Sequence, residues 1–202
     1  MSKKSKRKAA RERRKKRDTG RRALIVALIP ALLLVGALAY IISIPPKPVQ
    51  RGGNTHLGEE APDFTLKVLT QNGLSGEEFS LSAARGSVVF MDFAFSWCPH
   101  CNRMAPTIKK LHDTYAERGV KFITVMGNDA RTDEQKSAEF LRKHDVSWAV
   151  LFDENLDVFN LYSVVGTPTY VVIGKDGRIV GRLVGEQSYD KLASLIEQAL
   201  AS

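Results

Sequence analysis

The chain has 202 residues, with 30 Lys and Arg against 22 Asp and Glu, two cysteines and a net charge of +8. That length suits one domain of ordinary size plus appendages. The charge is segregated: residues 1–22 hold 13 Lys/Arg against Glu12 and Asp18 and sum to +11, which leaves the rest at −3. A mildly acidic remainder gives no reason to expect nucleic-acid binding, and two cysteines exclude a domain stapled by several disulfides.

Residues 23–44 form a stretch of 22 residues without a charge. As a helix it spans roughly 33 Å, against a bilayer core of about 30 Å. Pro30 and Gly36 are tolerated in such helices. The basic flank keeps the N-terminal side cytoplasmic and puts everything after residue 44 outside. The chain therefore reads as a single-pass protein of the cell membrane, in contact with lipid through 23–44. Two alternatives stand beside this reading. One is a nucleic-acid or membrane-surface tail at 1–22. The other is a cleaved signal peptide ending at Ala37-Leu38-Ala39. The apolar run continues through Tyr40, Ile41 and Ile42, which favours an uncleaved anchor. Either way the domain is exported. Residues 45–58 read as a linker, with Pro45, Pro46 and Pro48 extending its start and Gly52, Gly53 and Gly58 loosening its end.

A domain is expected over 59–202. Asp63–Leu69 and Glu78–Leu81 read as short strands around an Asn72-Gly73 turn. Ser87–Phe95 is a nearly continuous apolar run and reads as a strand buried on both faces, typical of a parallel sheet covered by helices. A helix over 99–117 with Pro106 inside it, a strand at Val120–Met126, a helix over 132–144 and a strand at Ser147–Phe152 follow. After them come a short helix at Leu156–Tyr162 and a hairpin of Thr169–Ile173 and Arg178–Val184 around Lys175-Asp176-Gly177. Ser188 caps a last helix whose Leu192, Leu195, Ile196 and Ala199 share a stripe. Strands alternating with helices and closing in a hairpin and helix predict an α/β domain with a mixed sheet.

Trp97-Cys98-Pro99-His100-Cys101 carries both cysteines. A structural zinc site would need four ligands. One Cys-x-x-Cys entered from an apolar strand suits redox exchange instead. Cys98 is expected just before the first helical turn, where free N–H groups and the helix dipole favour the attacking thiolate. Cys101, one turn on, is the resolving thiol. His100 can stabilise the thiolate through its ring N–H or cationic form. His56, His112 and His144 have no such context. Asp92, six residues before Cys98, reads either as an edge-strand Asp facing solvent or as a carboxyl buried under the disulfide. In the second case burial raises its pKa so that it exchanges a proton with Cys101 near neutral pH. Thr167-Pro168 precedes a strand and marks an edge or a special turn, with a cis bond plausible there. Trp97 is expected to line the site, with plain core packing as the alternative.

With Asp92, the Cys98–Cys101 turn, Pro106 and Thr167-Pro168 in this order and spacing, residues 59–202 resemble the thioredoxin superfamily. The resemblance implies a mixed central sheet flanked by helices, Pro168 cis and facing the cysteines, and pairing of residues around Thr167 with the substrate backbone. The extra helix and strand at roughly 127–150 look like the central insertion of the TlpA/ResA-like branch. Gly58-Glu59-Glu60-Ala61-Pro62-Asp63-Phe64 resembles the opening of that branch and of the peroxiredoxins. A membrane anchor also fits TlpA-like proteins. Two positions depart from the pattern: Met104 stands where those proteins often have Glu, and Asp92 where they often have Asn. The Cys-Pro-His-Cys turn itself resembles the oxidising DsbA. The resemblance implies a thiol–disulfide oxidoreductase acting on exported proteins, served by a membrane redox partner and needing no cofactor or metal. A thiol peroxidase is the first alternative, but Phe95 and Met91 occupy the positions where peroxiredoxins have Thr/Ser and Pro. A copper-binding chaperone using the two thiolates and a His is the second.

Overall fold

This computed structural model describes residues 57–202. The tail at 1–22, the span at 23–44 and all but the last two linker residues lie outside the described residues. Among the described residues no helix is long and apolar enough to cross a membrane. The elements are β1 (Thr65–Thr70), β2 (Gly73–Ser80), β3 (Val88–Ala94), α1 (Pro99–Tyr115), β4 (Val120–Gly127), α2 (Glu134–Lys143), β5 (Ala149–Asp153), α3 (Asp157–Leu161), β6 (Thr169–Ile173), β7 (Ile179–Val184) and α4 (Tyr189–Ala201). The strands form one sheet in the order β2-β1-β5-β4-β3-β6-β7. β3, β4 and β5 run parallel; the remaining neighbours pair antiparallel. This is the mixed sheet expected from the alternation of elements.

Every residue of β3 is buried, because both sheet faces are covered. Val89, Met91 and Phe93 point to a core with Ile123, Val125, Leu151, Val171 and the α3 side chain Phe159. Val88 and Phe90 point the other way, to Met104, Ile108 and Leu111 of α1 and Leu192 and Ile196 of α4. Alternation along one strand thus serves two cores. Asp92 shares the parity of Val88 and Phe90 and so lies on the α1 face.

Four boundaries differ from the sequence reading for identifiable reasons. Asp63 is not in a strand. Its Oδ1 accepts from the N–H groups of Phe64 (3.0 Å) and Ser82 (2.9 Å), tying the entry of β1 to the turn after β2. β2 begins at Gly73, five residues before the expected Glu78, because pairing with β1 sustains this mostly exposed edge strand without an apolar alternation to announce it. Leu81 belongs to a short 3-10 turn and is buried there. β5 reaches Asp153, whose carboxylate accepts from the N–H groups of Asp157, Val158 and Phe159, each at 2.9 Å. That starts α3 without a cap at Leu156. In α4, Leu195 is half-buried while Leu192, Ile196 and Ala199 are buried.

Gly127 ends β4 against an aromatic cluster that supports the redox turn. A Cβ there would sit 2.5 Å from Phe95 Cε1 and 2.9 Å from both Leu156 Cδ2 and Phe159 Cζ. Phe95 in turn stacks on Trp97, centroids 5.5 Å apart. Gly127→Ala should cost about 1–3 kcal/mol by overpacking. Urea denaturation would show a lower midpoint with an unchanged slope, and an unchanged midpoint would mean the cluster relaxes freely.

Candidate active site

β3 delivers the chain to a tight turn in which the Cys98 N–H donates to Phe95 O at 3.1 Å. Cys98 is the N-cap of α1, extended at φ −67°, ψ 117°, and its Sγ accepts from the Cys101 N–H at 3.3 Å. Pro99 takes the first helical position, where a missing N–H costs nothing. A sulfur at an N-cap faces the unpaired donors of the first turn, an arrangement that favours negative charge on it. Both thiols are free and each is only 3% exposed.

The Thr167-Pro168 bond is cis. It brings Thr167 O within 3.5 Å of Cys98 Sγ, which donates to it across 69 residues of sequence. The Gly185 N–H holds this turn from behind through Pro168 O at 2.7 Å. Thr167-Pro168 is therefore a special turn entering β6, an interior strand, and not part of an edge. Val165, 92% exposed, stands two residues before it.

Asp92 is buried, which removes the solvent-facing alternative. It pairs in register with Thr124 on β4 and Tyr170 on β6, so the three side chains form one row across the sheet. Burial pushes the Asp92 carboxyl up to about 7, with the Thr124 hydroxyl opposing. Trp148 Nε1 donates to Thr124 Oγ1 at 2.9 Å. Asp92 Oδ1 and the Tyr170 hydroxyl are both buried and have no hydrogen-bond partner among the described residues. Unpaired buried polar atoms are costly and concentrate where chemistry needs them. Burial first, and the Asp92 charge second, hold the Cys101 thiol far above its ordinary range. A carboxyl group titrating near neutrality and a thiol that resists ionisation thus share one buried environment, in which a negative charge on either disfavours charge on the other.

Trp97 is half-buried, and it is held on three sides. Phe95 stacks on one face, the Arg131 guanidinium lies 3.2 Å from the ring centroid, and Nε1 donates to Asp129 Oδ1 at 3.1 Å. The loop after β4 thus fixes the rim of the site. His100 is exposed, with Nδ1 2.5 Å from Glu186 Oε1.

Several participants escaped the sequence reading. Asn102 Nδ2 donates to Ser96 O (3.0 Å) and Cys98 O (2.9 Å). Its Oδ1 lies 2.8 Å from Lys143 Nζ, which donates to it, and 2.9 Å from His144 Nε2. One amide therefore stitches the end of α2 to the redox turn. His144, expected to be an ordinary residue, joins the site this way; burial and Lys143 lower its pKa. Tyr170, Arg103 and Glu186 gave no signal in sequence. Arg103 and Glu186 meet only across elements, and Tyr170 is set beside Asp92 only by strand register.

Two thiols sharing a helix N-terminus, over a buried carboxyl and against a cis-proline turn, define a thiol–disulfide oxidoreductase of thioredoxin fold. The sequence pattern of the Redoxin family matches residues 56–198, and the chain belongs to that family, in the TlpA/ResA-like branch of the thioredoxin superfamily. It is 30% identical over 142 residues to the thiol-disulfide oxidoreductase ResA of Bacillus cereus (strain ZK / E33L), covering 70% of this chain and 78% of that protein. It is 32% identical over 143 residues to ResA of Halalkalibacterium halodurans, covering 69% and 77%. Among solved structures, the thiol:disulfide interchange protein DsbE from Chlorobium tepidum superposes with a TM-score of 0.63 at 30% identity, covering 72% of this chain and 98% of that one.

Proposed function

We propose that this oxidoreductase is anchored in the cell membrane by residues 23–44, with its N-terminus cytoplasmic, and that residues 59–202 exchange disulfides with exported proteins outside the cytoplasm. The observation that carries the chemistry is the position of Cys98 Sγ, 3.3 Å from the Cys101 N–H donor and 3.5 Å from Thr167 O. Cys98 attacks or is attacked, forming a mixed disulfide with the client. Cys101 resolves it, with its proton passing to Asp92. His100 stabilises the Cys98 thiolate. Pro99 starts the helix without an unpaired donor. Trp97, Thr167 and Pro168 receive the client backbone beside the sulfur. A membrane redox partner resets the couple. The uncharged stretch at 23–44 and the basic flank before it support the anchor and its orientation.

Expression of the full chain as Cys101→Ser in a bacterial host tests the reading. The protein should partition with membranes, its C-terminal domain should be digested by protease added outside the inner membrane, and exported proteins should be trapped on Cys98. A soluble protein, protection of the domain, or no trapped client would refute it. A reduction potential of about −120 mV would mean disulfide donation, and one of about −270 mV electron delivery.

A further inference from the structure

His100 and Arg103, near the start of α1, converge on one carboxylate from the loop between β7 and α4. Glu186 Oε1 lies 2.5 Å from His100 Nδ1, 2.8 Å from Arg103 Nε and 2.5 Å from Arg103 Nη2. Arg103 Nη2 also lies 2.8 Å from His100 Nδ1. That ring nitrogen serves only one of two roles at a time. With a proton it donates to Glu186; without one it accepts from Arg103. The hydrogen bond to Glu186 foremost, and the Cys98 charge last, raise the Arg103 pKa, so this guanidinium lies within electrostatic reach of the sulfur. Glu186 is fixed to the site from behind as well, since the Gly185 N–H bonds Pro168 O at 2.7 Å.

We propose that Glu186 and Arg103, both outside the Cys-x-x-Cys motif, set the reduction potential of the Cys98–Cys101 couple. Cations beside Cys98 stabilise its thiolate and therefore the reduced form, which makes the disulfide more oxidising. Glu186 neutralises one positive charge of the His100–Arg103 pair. It holds the couple more reducing than the Cys-Pro-His-Cys turn would be alone. Glu186 and Arg103 are positioning residues here, because neither touches the sulfurs being exchanged.

This inference rests on the reading of Cys98–Cys101 as the redox couple, and the experiment separates the two. The full chain in detergent is equilibrated with glutathione buffers. Two glutathione thiols reduce the Cys98–Cys101 disulfide to two thiols and leave as one oxidised glutathione. Glu186→Gln should shift the equilibrium toward the dithiol by about threefold or more, roughly 15 mV for this two-electron couple. Arg103→Gln should shift it in the opposite direction. Both shifts should shrink in 1 M salt, where the screening length is about 3 Å. Opposite signs and loss in salt are what general loosening of an exposed cluster cannot produce. Shifts of the same sign, no shift in either variant, or shifts that persist in high salt would overturn the inference. Failure of the wild-type pair to titrate reversibly would instead overturn the redox reading itself.

Discussion

Cys98→Ser reduces insulin-disulfide reduction and the reoxidation of reduced protein to the uncatalysed background, a loss on the order of a thousandfold or more. A hydroxyl in place of the sulfur neither attacks a disulfide nor leaves one. Cys101→Ser behaves differently. The N-cap sulfur of Cys98 still accepts from the residue 101 N–H and still faces Thr167 O, so attack proceeds while release does not. That variant accumulates a client–Cys98 mixed disulfide visible on non-reducing gels. The measurement is a pair of turnover assays with a mixed-disulfide gel. Trapping on Cys101 in the Cys98→Ser protein, with activity retained, would reverse the assigned roles.

Asp92→Asn has two effects that separate by pH. Burial raises the folded-state pKa of this carboxyl from 3.8 to about 7. The folded protein therefore holds the proton more tightly than the unfolded chain does, and stability falls as pH rises from 3.8 toward 7. Above pH 7 the buried carboxylate costs roughly 3–5 kcal/mol, at about 1.36 kcal/mol per pKa unit. The Asn variant should be more stable than the wild type by an amount of that order at pH 8, with the advantage vanishing below pH 4. Denaturant titrations at several pH values measure it, and a pH-independent difference would contradict the assignment. On the proposed role of Asp92 as proton acceptor for Cys101, the same variant should exchange thiols about 10²-fold more slowly at neutral pH. Its rate profile should lose the inflection near pH 7. A more stable and slower enzyme is the expected signature of a functional buried charge.

The parts of the fold that were legible in sequence are those whose burial writes an apolar pattern. β3, β4 and β6 sit between covered faces, and their runs announced them within a residue or two. β2 was half-missed because an edge strand of exposed Gly76, Glu77 and Glu78 is held by backbone pairing, which leaves no trace in side-chain type. The site divided in the same way. The cysteines, Pro99, His100, Asp92 and Thr167-Pro168 were visible because each is unusual for its local element: thiols at a helix start, a carboxyl in an apolar strand, a proline entering one. Glu186, Arg103 and Asn102 are ordinary residues for an exposed loop and an exposed helix turn. Their meaning comes from what lies opposite, and 83 residues of sequence separate Arg103 from Glu186.

The burial of both sulfurs also bears on oxidative damage. Both cysteines are 3% exposed, but Cys98 has to meet disulfides from outside and so meets peroxide as well; climbing beyond the sulfenic state needs repeated attack on the same sulfur. A sulfenic acid formed at Cys98 would find Cys101 in the same helical turn. The two would condense to the disulfide with loss of water, which is the normal oxidised form of the couple. The geometry that serves exchange thus diverts accidental oxidation into a reversible product and spares the thiol the irreversible acids.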